Sequence, residues 1–143
     1  KEGHELEKDL MKRLKIIEGH LETIQKRSPQ LVKKYEEKIS RQVKGSNNFS
    51  KAEQDLFGRF LTVFSEKTDI AEEITRLKSH ISQFKSYLKS SEAVGRSMDF
   101  LLQEFMREAN TIGSKANDTA IAQNVVAIKT TIEQIREQVQ NLL

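Results

Sequence analysis

The chain predicts an all-α fold, an antiparallel helical bundle with a long N-terminal helical hairpin arm, on three observations. Chain breakers are scarce, with one proline and six glycines in 143 residues. Lys, Glu, Gln, Leu and Ile dominate the composition, which favours helix over sheet. Apolar residues recur at alternating three- and four-residue steps, the spacing of one helix face.

The first helix is expected over about Glu5 to Lys26, with Leu6, Leu10, Leu14, Ile17, Leu21 and Ile24 as a single seam for a partner helix. Ser28-Pro29 reads as a restart, serine capping a second helix and proline at its first position. That helix runs to about Lys44 and ends at the turn-prone Gly45-Ser-Asn-Asn, a candidate hinge. Ser50 and Glu53 have capping-box spacing, so a third helix spans Lys51 to Glu66, with Leu56, Phe57, Phe60, Leu61 and Phe64 as its core residues. A fourth starts at Thr68 or Asp69 and carries Ile70, Ile74, Leu77, Ile81, Phe84 and Leu88 on one stripe, until Ser90, Ser91 and Gly95 break it. The fifth covers about Arg96 to Asn110. Asp118 caps the sixth, Thr119 to about Asn141, whose seam is Ile121, Val125, Ile128, Ile132, Ile135 and Val139. Residues 1–45 form the predicted arm and 46–143 the helical core domain.

Composition narrows the function classes. The chain has no cysteine, which excludes disulfides and cysteine-ligated zinc and agrees with a reducing compartment. No apolar run nears the roughly 18 residues of a membrane span, and no signal-peptide pattern opens the chain. These features point to a cytoplasmic protein with no membrane partner. Lys1 is not an initiator methionine and the first residues read as the middle of a helix, so a fragment of a longer protein is expected. Residues 1–45 hold twelve Lys and Arg against eight Asp and Glu, a net of +4, whereas the rest hold twelve against thirteen, a net of −1. The excess gathers at Lys26, Arg27, Lys33, Lys34, Lys38, Arg41 and Lys44. Such a face either meets an RNA backbone or is simply solvated, and charge alone favours solvation.

Two constellations carry candidate chemistry. Asp69, Glu73, Arg76 and His80 fall within a stripe roughly 60° wide beside the fourth helix's seam. Two carboxylates and a histidine there can hold a divalent cation or move a proton, while the same spacing also permits ordinary salt bridges to Arg76. On the fifth helix, Asp99, Gln103, Arg107 and Asn110 share a face, with Glu104 and Glu108 a turn apart beside it. Asp99, Glu104 and Glu108 could share magnesium or manganese; a structural network with Arg96 and Arg107 is the competing reading. Phe100 lies on the polar side, where packing is its commoner fate. Lys115, in the Gly-Ser-Lys turn, is a phosphate-contact candidate beside a helix start. The P-loop order, GxSxG and GxGxxG are all absent.

The segments TDIAEEITRLKSH (68–80), QF (83–84), VGRSMDFLLQEFMREANTIGSKAND (94–118) and IEQIREQVQN (132–141) resemble the C-terminal half of the bacterial YicC/YloC family. The resemblance is specific from about residue 60 onward, and before residue 45 it is mainly one of helical pattern. Ser97-Met98 and Phe105-Met106 depart from the family's usual pairs but leave Asp99, Glu104, Arg107 and Glu108 in place. It implies an endoribonuclease aided by a divalent metal cation (Mg or Mn), a ring-shaped homo-oligomer such as a hexamer, a link to the stress response, and an N-terminal domain not present here. On that reading Asp69, Glu73, Asp99, Glu104 and Glu108 are the metal candidates, and Glu73, His80, Glu104 and Glu108 the catalytic ones. Arg76, Arg96, Arg107 and Lys115, with Lys33 and Lys34 on the arm, would bind RNA phosphates. The alternative is a non-catalytic oligomerisation or RNA-clamping module whose catalysis needs the N-terminal domain.

Overall fold

The computed structural model describes residues 2–44, 49–90 and 95–141. They form five helices: α1 (Glu2–Lys44), α2 (Lys51–Thr68), α3 (Ala71–Lys89), α4 (Gly95–Lys115) and α5 (Thr119–Gln140). There is no strand among the described residues. The predicted hinge around Gly45 lies outside them, apart from Phe49.

Four helices close a bundle. α1 packs against α3 and α5, and α4 packs against the same two. Cross-links set the directions. Arg13 donates to Gln134 at 2.7 Å, His20 meets Asn124 at 2.8 Å and Arg27 meets Asp118, so α1 and α5 are antiparallel. The Glu18–Lys85 pair, with Lys78 bonded to Gln25, makes α1 and α3 antiparallel as well. The core is one continuous cluster. Leu10, Leu14, Ile17, Leu21 and Ile24 are fully buried and meet the α3, α4 and α5 seams, with Phe84 and Phe105 5.7 Å apart between α3 and α4. Each such side chain stabilises by about 1.5–3 kcal/mol relative to exposure.

Three sequence expectations change. α1 does not break at Ser28-Pro29 but runs 43 residues, about 65 Å. An interior proline costs about 3 kcal/mol. Pro29 and Gln25 both lie on the exposed side, where water can take the carbonyl that loses its partner. Beyond Pro29, the half-buried Leu31, Val32 and Tyr35 find new packing, with Tyr35 edge-on to Phe64 at 5.5 Å. The hairpin arm therefore consists of the C-terminal part of α1 with α2, which packs chiefly on α1.

α2 also buries less than its periodicity implied. Leu56 and Phe60 are 67% and 60% exposed, and Phe57, Leu61 and Phe64 are half-buried. The apolar stripe exists, but the bundle does not cover it. Finally, α4 continues five residues past Asn110, because Ile112 extends its core stripe and is fully buried. Gly113 permits this: a Cβ there would stand 3.3 Å from Val125 Cγ1, so α4 and α5 approach closely. Two predicted caps hold. Glu53 N–H donates to Ser50 Oγ at 3.2 Å, and Ile121 N–H donates to Asp118 Oδ2 at 3.0 Å.

Candidate metal centre on the α3–α4 seam

α3 and α4 run antiparallel, so residues advancing along one meet residues receding along the other. Glu73 meets Lys115, and seven residues on, His80 meets Glu108, seven residues back. Seven residues are nearly two turns, which return to the same azimuth within about 20° and rise about 10.5 Å. Both pairs thus open on one edge of the seam.

At the first point, the ligand atoms of His80, Glu104 and Glu108 all lie within 4.8 Å of one another. Glu104 and Glu108 stand one turn apart on α4, and α3 supplies the imidazole. Glu108 is 5% exposed as a residue and takes no hydrogen bond or ion pair among the described residues, but its carboxylate oxygens keep contact with solvent, unlike the buried Glu73 Oε2. Glu104 has a distant companion in Arg107, 3.8 Å away and largely exposed. Glu104 and Glu108 are like charges one turn apart on α4, a pair that a cation between them would relieve. One nitrogen and two carboxylate donors suit a divalent ion of intermediate hardness, such as Mn, better than an all-oxygen Mg site. The donor set therefore fits a divalent metal.

At the second point, Lys115 Nζ lies 2.5 Å from Glu73 Oε1. Glu73 is 2% exposed and sits in the first turn of α3, while Lys115 closes the last turn of α4. Each charge faces the helix end whose dipole favours it. The other carboxylate oxygen, Glu73 Oε2, is buried without a hydrogen-bond partner.

The remaining candidates are dispersed. Asp69 is exposed at the end of α2, where Oδ1 accepts from Ala71 N–H at 2.9 Å. Arg76 is exposed and pairs with Glu72 of its own helix. Asp99 lies about 13.5 Å along α4 from Glu108, accepts from Gln103 at 3.3 Å and faces Arg136 at 3.8 Å. Arg96, Lys33 and Lys34 are exposed on α4 and the arm, and Phe100 is 61% exposed. Lys115 closes α4, three residues before the Asp118 cap of α5. His80 falls beside Glu104 and Glu108 in a group that could hold a metal ion, a partnership that helix-by-helix reading missed. The signal available was the matched seven-residue spacing of Glu73 to His80 and Glu108 to Lys115.

Reading along α1 also missed the clamp at its exit from the core. Arg27 donates from Nε to Asp118 Oδ2 at 2.6 Å and from Nη2 to Oδ1 at 2.9 Å. The hydrogen bond from Arg27 holds the Asp118 carboxyl below its usual range, and Asp118 in turn raises Arg27.

A sequence profile described as "Endoribonuclease YicC-like, C-terminal" matches residues 24–143. The chain belongs to this family. Among YicC relatives, the chain is 38% identical over 142 residues to a protein named probable endoribonuclease YicC from Clostridioides difficile strain 630, covering 99% of this chain and 48% of that protein. It is 31% identical over 145 residues to a Haemophilus influenzae protein of the same name, covering 99% of this chain and 49% of that one. The chain spans about half the length of the curated relatives it matches. No helix among the described residues is long and apolar enough to cross a membrane.

Proposed function

We propose that this YicC-like chain carries the metal centre and phosphate-binding face of an endoribonuclease that cleaves RNA phosphodiester bonds. The observation that carries the reading is the convergence of His80, Glu104 and Glu108, whose ligand atoms lie within 4.8 Å of one another. These three residues would hold a divalent cation, Mn before Mg by donor chemistry. Bound there, the ion would polarise a phosphoryl oxygen and lower the pKa of a coordinated water.

The chain's own groups divide the remaining work. Glu108 and Glu104 set the negative field that attracts the cation, and His80 orients its imidazole toward them. Arg107 and Arg76, both exposed, would neutralise phosphate charge. Arg96 adds a cation at the start of α4, while Lys33 and Lys34 draw the polyanion along the arm without reading sequence. Asp69 and Asp99 stand apart from the centre and serve the α2–α3 junction and the α4–α5 contact. The assembly is a homo-oligomer in a cytoplasmic setting, with an N-terminal domain completing the enzyme.

A second reading has its own support. The exposed Leu56, Phe60 and Val63 form an uncovered stripe on α2, which suits a clamping or assembly module whose chemistry resides in the other half of the protein. Cleavage of a labelled, structured RNA by the full-length protein decides between them. Under Mn, Glu108→Ala and His80→Ala are each expected to lower the cleavage rate at least a hundredfold, and chelator to abolish cleavage. Normal cutting by both variants would leave this half only the clamping role.

A further inference from the structure

We propose that Glu73 is a positioning residue, which fixes Lys115 as a clamp for an RNA backbone phosphate on the strand that passes the His80–Glu104–Glu108 centre. The inference rests on the reading of this seam as the face that meets RNA. Lys115 is anchored at one donor, 2.5 Å from Glu73 Oε1, while its side chain remains 34% exposed. An ammonium group has three donors, so two are free for an anion. Glu73 is 2% exposed, and its second oxygen has no other donor. Lys115 is therefore the group that neutralises a buried carboxylate. It cannot swing away without stranding that charge, so the ammonium stays at the mouth of the seam. A cation ordered before its ligand arrives loses less freedom on binding than a mobile surface lysine.

The placement matches a strand. Lys115 and Glu108 share an azimuth and stand about 10.5 Å apart along α4. At about 3.4 Å per nucleotide of a stacked strand, this is about three steps. One strand lying along the seam can thus meet both points. Glu73, held by Lys115, is accordingly no donor to the metal centre.

The test is equilibrium binding of a labelled single-stranded RNA to this chain in chelator, across a series of salt concentrations. It needs neither metal nor cleavage. Lys115→Ala is expected to weaken binding and to flatten the slope of log affinity against log salt by about 0.7, one single-strand phosphate contact. Glu73→Gln is expected to act in the same direction, and the double variant to lose little more. An ion pair with only a structural role gives the opposite sign, since deleting a negative charge strengthens binding to a polyanion. A rise in affinity for Glu73→Gln, or an unchanged slope for Lys115→Ala, overturns the proposal. If circular dichroism shows that Glu73→Gln does not fold, Glu73→Asp carries the same question. It keeps the charge but withdraws the carboxylate by one methylene, so weaker binding supports positioning and unchanged binding overturns it. Absence of RNA binding by the wild-type chain would instead remove the RNA-facing reading, and this inference with it.

Discussion

Glu108→Leu should make the metal-free chain more stable and metal-insensitive at once. The residue is 5% exposed, takes no hydrogen bond or ion pair among the described residues, and stands one turn from Glu104 on α4. Like charges at this spacing destabilise a helix by about 0.2–0.5 kcal/mol. Leucine has a similar volume and lies on an interface already lined by Leu101, Phe105 and Ile112. A gain of about 0.5–1 kcal/mol is expected, and for a domain of this size it raises the melting temperature by about 2–4 °C. Wild type responds the other way to metal. With Mn at a hundred times its dissociation constant, linkage adds about 2.7 kcal/mol to the folded state. Thermal unfolding followed by circular dichroism, with chelator and with Mn, reads both effects. The variant should melt above wild type in chelator and show no Mn-dependent shift. A variant that melts lower in chelator, or still shifts with Mn, refutes the claim that Glu108 is a carboxylate kept for a cation.

Acid should loosen the α1–α5 clamp. Asp118 has a folded pKa below its ordinary value of 3.8, mainly through the hydrogen bond from Arg27. Its stabilisation is therefore present above that value and lost as pH falls through the lower folded value. Asp9 behaves alike, chiefly through its bond from Gln138. Arg27→Met should flatten the pH dependence of the melting temperature below about pH 4, as read by unfolding curves in stepped buffers; an unaltered profile would remove the clamp from the account. The arm should also differ from the core in sensitivity. Phe105→Ala, fully buried between α3 and α4, should cost about 3–5 kcal/mol. Phe60→Ala, 60% exposed on α2, should stay within about 0.5 kcal/mol in urea titrations of this chain. A large loss from Phe60→Ala would mean that α2 is covered after all.

Local signals carried the fold where they agreed with packing. The seams of α3 and α5 and the caps at Ser50 and Asp118 were legible because periodicity and capping chemistry specify one helix at a time. Ser28-Pro29 misled because it is a genuine helix-start signal, overridden by packing on both sides of the proline. The end of α4 misled for a related reason. Asn110, Gly113 and Ser114 look like a turn, but Ile112 has a core place to fill. Periodicity also identifies which face of α2 is apolar without saying whether anything covers it. The candidate site shows the same division. Its residue types and helix faces could be read directly. That His80 joins Glu104 and Glu108, while Glu73 goes to Lys115, depends on the antiparallel register of α3 and α4, which only the folded chain supplies.

Titration of this chain with Mn, with free ion followed by electron paramagnetic resonance, tests the metal centre most directly. One ion per chain is expected for wild type, with binding lost in His80→Ala and in Glu108→Gln and retained in Asp69→Asn and Asp99→Asn. Equal binding by wild type and the His80 and Glu108 variants would contradict the assignment of the centre to these residues.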